Sequence, residues 1–258
     1  MKIYIMTDIE GVAGVARFFQ TREAERPEKK VAMTLLTREV NAAVDGILEA
    51  DPAAEVVVMD GHGNGGIDIT EFHPKARLIN RGPLPPPGLL DHGFDGLFFV
   101  GQHARAATEN GNLAHTYSSL TIEYYRLNGR LIGEFGCRAA LAGSYGVPTV
   151  FISGDDRAVA EARELVPDIV GVTVKEGLGL ETALHLSPAR AREVIRAGAA
   201  EAVGRIGAIP PYRVEPPYEL VIRVKEGVSL ENFLKKGAEP LDERTVVRRS
   251  SSLNDLPI

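Results

Sequence analysis

Short, continuously apolar segments alternate with helical segments along most of this chain of 258 residues, and this alternation constrains the fold most strongly. Residues 2–7, 55–59, 96–100 and 148–153 are such segments, and none shows the apolar–polar alternation of a half-exposed strand. Strands of this kind occur in parallel sheets that helices cover on both faces. We therefore predict an α/β fold with a mostly parallel sheet flanked by helices.

The segments between these strands have the spacing and the end signals of helices. Apolar residues at helical spacing predict a helix over residues 29–50. Ser187 followed by Pro188 is a typical helix start and predicts a helix over residues 187–206. Shorter helices are predicted near 134–145 and 157–165.

Two segments depart from the alternation of strand and helix. The Asn128-Gly129 pair is the preferred dipeptide of a type I′ turn and predicts a hairpin within residues 119–133. The proline-rich segment 82–88 is too rigid and too poor in N–H donors for a regular element. A further short strand is predicted at residues 76–80.

The pattern changes again beyond Pro210 and Pro211. Residues 218–224 alternate like a half-buried strand, and a short helix near 229–236 and a strand near 244–248 follow. We predict an α/β domain over residues 1–208 and a smaller C-terminal α+β part over residues 209–258, which is a candidate for subunit contacts.

Charge and composition exclude several classes of protein. The net charge is −6 and no segment concentrates Lys and Arg, which argues against a nucleic-acid surface. No run of 18 apolar residues is present, so no membrane span is expected. Cys137 is the only cysteine, which rules out an intramolecular disulfide and fits a reducing compartment. We expect a cytoplasmic protein.

Polar residues flanked by glycine follow four of the predicted strands, at the point where each strand ends. In open α/β sheets ligands bind at the carboxyl ends of the strands, so these residues are candidates for one shared site. They are Asp8 and Glu10, Asp60 and His62, His103, and Asp155 and Asp156.

The first of these groups has the spacing of a cation site. If the strand continues through residue 10, Asp8 and Glu10 point to the same side. Two neighbouring carboxylates repel each other unless a cation lies between them. The alternative is that the two residues only end the strand and cap a turn. Asp155 and Asp156, likewise, are expected to do little more than cap the helix that follows.

The histidines add ligands of a second kind. His62 lies in a glycine-rich loop, where the backbone can pass close to a bound group, and His103 directly follows a strongly apolar strand. Imidazole is a good ligand for zinc, and Asp60 is placed to orient the ring of His62. The alternatives are an incidental histidine in a flexible loop for His62 and an ordinary core or rim histidine for His103.

Several familiar catalytic motifs are missing from the chain. It contains no His-Glu-x-x-His, no Gly-x-Ser-x-Gly, no Gly-x-x-x-x-Gly-Lys-Ser/Thr and no Rossmann fingerprint with its ribose-binding acid. Helical zincins, serine hydrolases, P-loop enzymes and Rossmann dehydrogenases are therefore disfavoured. A dispersed carboxylate–histidine metal site remains the best interpretation.

With these motifs in view, the chain resembles the zinc-dependent D-aminopeptidases encoded with bacterial dipeptide-transport genes. The resemblance covers about residues 1–205, in order and with similar spacing. It rests on the opening 1–14, on Asp60-Gly61-His62, on Gly101-Gln102-His103-Ala104-Arg105, on His115, on Gly133-Glu134 and on Gly154-Asp155-Asp156-Arg157.

The resemblance implies two Zn²⁺ ions per chain and a set of five ligands. Asp8 would bridge the two metals, Glu10 and His62 would complete one site, and His103 and Glu134 would complete the other. Without the resemblance, Glu134 at the start of a helix would be interpreted as a surface residue that compensates the helix dipole. His115 is implied to act in catalysis without being a primary ligand.

The implied reaction is hydrolysis of the N-terminal peptide bond of short peptides by a metal-activated water, with a D-residue such as D-alanine at the N-terminus. The resemblance also implies a homo-oligomer, a ring-shaped decamer. Two alternatives stay open: another binuclear metallohydrolase that acts on phosphoesters or non-peptide amides, and a metal-binding protein without catalytic activity.

Overall fold

The computed structural model describes residues 1–80 and 84–258. Its strands are β1 (Lys2–Thr7), β2 (Glu55–Asp60), β3 (Ala76–Ile79), β4 (Gly96–Gln102), β5 (Ile122–Leu127), β6 (Arg130–Ile132), β7 (Thr149–Asp155), β8 (Val170–Gly179), β9 (Thr182–His185), β10 (Tyr218–Val224), β11 (Glu239–Asp242) and β12 (Thr245–Ser250). Its helices are α1 (Phe19–Arg22), α2 (Pro27–Ala50), α3 (Glu134–Ser144), α4 (Asp156–Leu165), α5 (Pro188–Arg205) and α6 (Glu231–Lys235), with a 3-10 turn at Leu253–Asp255.

The larger sheet contains the strands that the apolar segments predict. Its order is β3-β2-β1-β4-β7-β8-β9, and every neighbouring pair is parallel except β8 with β9. From β1 the chain continues to β2 and β3 on one side, whereas β4, β7 and β8 lie on the other. The strand order therefore reverses between β1 and β4, where open α/β sheets form their ligand crevice.

Helices cover both faces of this sheet. Gly171 of β8 packs against Val159 of α4, whereas the neighbouring Val172 packs against Gly198 of α5. Because successive strand residues point to opposite faces, α4 and α5 lie on opposite sides of the sheet. α5 also packs along α2. The predicted α/β class with a mostly parallel, helix-covered sheet is confirmed.

The second sheet is antiparallel, in the order β11-β12-β10-β5-β6. The predicted hairpin joins β5 to β6, and Asn128 and Gly129 have φ values of 48° and 80°, as a type I′ turn requires. β5 and β6 precede residue 208 and pair with the C-terminal strands through β10. The division of the chain at residues 208 and 209 stays a prediction.

Some elements were not predicted. Lys175, Gly177 and Gly179 interrupt the apolar run of β8, so this strand and its partner β9 have no clear pattern in the sequence. α1 and β11 are too short for periodicity to show. In the proline-rich segment, residues 84–88 form no helix or strand, while Gly82 and Pro83 lie outside the described residues. Within the described part of the chain, no helix has both the length and the apolarity to span a membrane.

Candidate metal centre

The two carboxylates that follow β1 lie against the end of β4. Asp8 and Glu10 are buried, with exposed fractions of 6% and 2%. The Asp8 N–H donates to the Val100 carbonyl at 2.9 Å. Gly101 adopts a φ of 78°, and a Cβ atom there would lie 2.0 Å from the Asp8 carbonyl oxygen. Only glycine allows this approach, which brings the β1 carboxylates next to the residues that follow β4.

A first triad joins His62 to both carboxylates. Its Nδ1 lies 3.1 Å from Asp8 Oδ1 and 3.2 Å from Glu10 Oε2. Its Nε2 lies 3.0 Å from the main-chain carbonyl oxygen of Thr21. The loop after β2 therefore aims one ring nitrogen of His62 at the carboxylates and anchors the other on α1.

A second triad uses the other oxygen of Asp8. His103 Nε2 lies 3.0 Å from Asp8 Oδ2 and 3.4 Å from Glu134 Oε1. His103 Nδ1 lies 2.9 Å from the Ala104 carbonyl oxygen. Glu134 reaches the triad from the first residue of α3, and its Oε1 also accepts a hydrogen bond from the Tyr117 N–H at 2.7 Å.

The donor set of both triads fits zinc. Two ligands about 2.0–2.1 Å from a tetrahedral ion lie roughly 3.3 Å from each other, close to the histidine–carboxylate separations of 3.0–3.4 Å in the two triads. A carbonyl oxygen at one ring nitrogen places the N–H there and leaves the lone pair of the other nitrogen free for a metal. Glu10 Oε2 and His103 Nε2 are buried and have no hydrogen-bond partner among the described residues. Such unpaired atoms are expected where a ligand completes the site.

The electrostatics of the cluster also favour a cation. Burial lowers the pKa of His62, but the carboxylates of Glu10 and Asp8 outweigh it and raise the pKa to about 10. Burial raises the pKa of Glu134, but His103 reverses this effect and holds the pKa at about 2. The carboxylates thus stabilise positive charge strongly in this buried space, and a divalent ion can replace the protons on the histidines.

His115 lies beside the second triad. Its ring stacks on that of His103 with centroids 4.0 Å apart, and its Nε2 lies 3.8 Å from Glu134 Oε1. The Leu113 carbonyl oxygen lies 2.8 Å from Nδ1. Burial, followed by the neighbouring His103, lowers the pKa of His115. A neutral imidazole with Nε2 facing the cluster can accept or donate a proton there.

The other polar residues at strand ends lie outside both triads. Asp60 does not orient His62 as predicted. Its carboxylate accepts the N–H groups of Gly66 and Ile67 and so closes the glycine loop, and the Thr21 carbonyl holds the imidazole instead. Asp155 caps α4 by accepting the N–H groups of residues 157 and 158, as expected. Arg105 faces Glu161 rather than the cluster.

Lys175 is a residue near the site that the sequence did not indicate. It is 1% exposed, and its Nζ donates to the Glu10 carbonyl, to the Val15 carbonyl at 2.7 Å and to Asn112 Oδ1 at 2.7 Å. This ammonium ties the segment that carries Glu10 to the loop that leads to His115. Its strand was not predicted, and its partners are distant in sequence, so no local pattern could reveal it.

A cavity of about 360 Å³ opens onto the cluster. Asp8, Glu10, His62, His115 and Glu134 form one part of its wall. The remaining wall combines apolar, hydroxyl and cationic side chains, among them Met6, Met59, Ser119, Arg22 and Arg138. The volume is at the small end of the range for ligand pockets and suits a short substrate.

The fold and this site define an α/β protein with a carboxylate–histidine cluster, whose donors suit a metal ion, at the switch point of its sheet. The family model for D-aminopeptidases matches residues 1–256. The chain therefore belongs to the D-aminopeptidase family.

Two relatives show how far the similarity extends. The chain is 31% identical over 229 residues to a D-aminopeptidase of Bacillus subtilis (strain 168), which covers 87% of this chain and 81% of the relative. Its fold is similar to the solved structure of the Zn-dependent D-aminopeptidase DppA from Bacillus subtilis, described as a self-compartmentalizing protease. The TM-score is 0.90 at 27% identity, and the match covers 99% of this chain and 93% of the other. The predicted family and the predicted class, a metal-dependent aminopeptidase and hence a hydrolase, are confirmed.

Proposed function

We propose that this protein hydrolyses the N-terminal peptide bond of short peptides that begin with a D-residue such as D-alanine. The observation that carries this proposal is the pair of triads that share Asp8 through its two carboxylate oxygens. A shared carboxylate of this kind suits two metal ions side by side, the arrangement of two-metal hydrolytic sites. Membership in the D-aminopeptidase family supports the choice of a peptide bond over a phosphoester.

The proposed metal content is two zinc ions per chain. Glu10 and His62 would hold one ion, His103 and Glu134 would hold the other, and Asp8 would bridge them. Zinc, when bound, supplies Lewis acidity toward a water molecule and toward the carbonyl of the scissile bond. The chain contributes fixed ligand geometry, because main-chain carbonyls orient both histidines.

His115 is the proposed proton carrier. The Leu113 carbonyl holds its Nδ1, so Nε2 is the atom that faces the cavity and exchanges protons. Its position beside Glu134 suits transfer of a proton to the amine that leaves when the peptide bond breaks. As an imidazolium it would also stabilise negative charge on the substrate carbonyl oxygen.

The proposed assembly is a homo-oligomer, a ring-shaped decamer, in the cytoplasm. The support is the similarity to DppA, which is described as a self-compartmentalizing protease. A ring with an enclosed channel would restrict access to short peptides. Light scattering coupled to gel filtration measures the mass, and a monomer at micromolar concentration would contradict this part of the proposal.

The test combines metal analysis with kinetics. We expect two zinc ions per chain, loss of activity on chelation, recovery with zinc, and faster hydrolysis of D-alanyl amide than of L-alanyl amide. Full activity of the metal-free protein would refute the whole mechanism. A preference for L-alanyl amide would refute only the stereochemical part.

A further inference from the structure

Arg138 is a buried cation in the wall of the cavity that opens onto the metal centre. It is 6% exposed and lies on α3, four residues after Glu134. Neither a hydrogen bond nor an ion pair to the guanidinium occurs among the described residues, and its nitrogens are not sealed from the cavity. An unpaired buried charge is costly, so an anionic ligand is the natural explanation for its retention.

The second arginine of the cavity differs in this respect. Arg22 Nη2 donates to Ser119 Oγ at 2.7 Å, and its guanidinium lies 3.7 Å from the centroid of the Phe18 ring. These contacts engage much of the Arg22 guanidinium, although its Nε is buried without a partner among the described residues. By contrast, all the N–H donors of the Arg138 guanidinium are available for a ligand.

The position of Arg138 also matches the length of a short peptide. Four residues of helix separate it from Glu134 by about 6 Å, and helical side chains lean toward the N-terminus of the helix, here toward the metal ligand. One residue of an extended peptide spans about 3.5 Å. With the scissile bond at the triads, the C-terminal carboxylate of a dipeptide or tripeptide comes within reach of Arg138.

We propose that Arg138 binds the C-terminal carboxylate of the substrate, so that the enzyme prefers dipeptides and tripeptides with a free carboxyl group over blocked or longer peptides. The guanidinium fork matches the two oxygens of a carboxylate, and such charged hydrogen bonds are among the stronger ones in proteins. This inference rests on the proposed aminopeptidase function, because it places the scissile bond at the metal ligands.

The experiment compares D-alanyl-glycine with D-alanyl-glycinamide, which differ only in the terminal charge. We measure kcat/KM for both with the zinc-loaded enzyme and with Arg138→Gln, Arg138→Lys and Arg22→Gln. We expect the wild type to prefer the acid about ten- to hundredfold, mainly through KM. Arg138→Gln should abolish this preference while it still hydrolyses the amide, Arg138→Lys should keep part of it, and Arg22→Gln should retain it.

Several results would overturn the assignment. They are equal rates on acid and amide in the wild type, an unchanged preference in Arg138→Gln, and an equal loss of preference in Arg22→Gln. Circular dichroism and the melting temperature show whether the variants fold. If they do not fold, equal rates of the wild type on the acid and the amide still overturn the assignment.

A binding measurement separates this inference from the proposed function. If the wild type hydrolyses neither compound, the aminopeptidase function fails. Isothermal titration of D-alanyl-glycine and its amide into the wild type and Arg138→Gln then decides the role of Arg138. The assignment is supported if the wild type binds the acid more tightly than the amide and Arg138→Gln does not. It is refuted if the wild type binds the acid and the amide with equal Kd values.

Discussion

At the residue scale, the three histidines near the cluster share one arrangement. Each has one ring nitrogen at a main-chain carbonyl, from Thr21, Ala104 or Leu113, and turns the other toward the carboxylates. The carbonyl fixes the tautomer and hence the nitrogen that carries the lone pair. His62 turns Nδ1 toward the carboxylates, whereas His103 turns Nε2 toward them. The conformation of each loop decides which nitrogen faces the carboxylates, since the residue type is the same.

Alanine substitutions distinguish ligands from the proton carrier. We expect His62→Ala and His103→Ala to lose bound zinc and to reduce kcat/KM by at least about a thousandfold, because each would remove a proposed direct ligand. His115→Ala should keep both metals and lose about a hundredfold or more in kcat, since it removes only proton transfer. Metal analysis of the purified variants checks this. Loss of zinc from His115→Ala would make His115 a ligand and contradict the assignment.

Lys175 provides a test of positioning at a distance from the ligands. In Lys175→Met the carbonyls of Glu10 and Val15 and the Asn112 side chain lose their buried donor. We expect weaker zinc binding by about tenfold to a hundredfold and a loss of stability of about 2–4 kcal/mol. Zinc affinity comes from competition with a chelator, and stability from urea unfolding.

The matched control for this variant is Lys235→Met, because the side chain of Lys235 is 68% exposed and pairs with Glu231 on the surface. Lys235→Met should change neither the zinc affinity nor the free energy of unfolding. Wild-type zinc affinity in Lys175→Met would show that Lys175 does not position the Glu10 segment.

At the element scale, the contact between β1 and β4 brings the two triads together. The segment after β1 runs along the end of β4, with the Gly11 N–H donating to the Gly101 carbonyl at 2.7 Å. His103 follows β4 directly, so a small change in this contact displaces a ligand of the second triad relative to Asp8. The proposed metal site therefore depends on the packing of β1 against β4.

Gly101→Ala should break this contact. The new Cβ would lie 2.0 Å from the Asp8 carbonyl, and the φ of 78° is unfavourable for alanine. We expect destabilisation by more than about 3 kcal/mol and loss of zinc.

Gly227→Ala is the control for this substitution. Gly227 has a φ of 77°, and no atom of residues 1–80 or 84–258 lies within 4 Å of the place that the new methyl group would take. The control therefore isolates backbone strain, which costs about 1 kcal/mol. Equal effects of the two substitutions would contradict the role of the strand contact.

Glu39 of α2 gives stability a pH dependence. Burial raises its pKa from 4.5 to about 8, although the Ala13 N–H and Lys175 oppose the shift. The folded protein keeps a proton that the unfolded chain releases. The stabilisation is therefore fully present below about pH 4.5 and is lost as the pH rises to about 8.

Glu39→Gln should remove this dependence, because glutamine is neutral at every pH and keeps an acceptor for the Ala13 N–H. We expect the variant to exceed the wild type in unfolding free energy by about 4 kcal/mol at pH 8 and by only about 1 kcal/mol at pH 5. Urea unfolding at both pH values measures this. A difference that does not grow with pH would show that Glu39 is ionised throughout.

At the scale of the whole molecule, the site gathers two buried carboxylates and a partly buried one from two separate parts of the chain. Asp8 and Glu10 follow β1, and Glu134 begins α3. Without a cation their mutual repulsion opposes the compact state, so binding of metal and stability of the fold are linked.

Zinc removal should therefore lower the melting temperature. At a free zinc concentration about a hundred times the Kd, binding adds about 2.7 kcal/mol per site to the unfolding free energy, which corresponds to a shift of about 5–10 °C in a chain of this size. Calorimetry before and after chelation, and after repletion with zinc or magnesium, measures it. Magnesium should not restore the shift, since it binds nitrogen ligands poorly. An unchanged melting temperature in protein shown to be metal-free would contradict this linkage.

The sequence by itself determined the apolar strands, the long helices, the Asn128-Gly129 turn and four of the candidate ligands, because hydrophobic periodicity and turn chemistry act over a few neighbouring residues. Glu134 and His115 came only through the family resemblance. The place of Asp8 between His62 and His103 was likewise implied only by the resemblance. Tertiary structure alone decided that Thr21 and not Asp60 orients His62, and that Lys175 and Arg138 lie at the site. These relations join residues that are distant in the sequence, so they depend on strand order and loop packing, which no local pattern encodes.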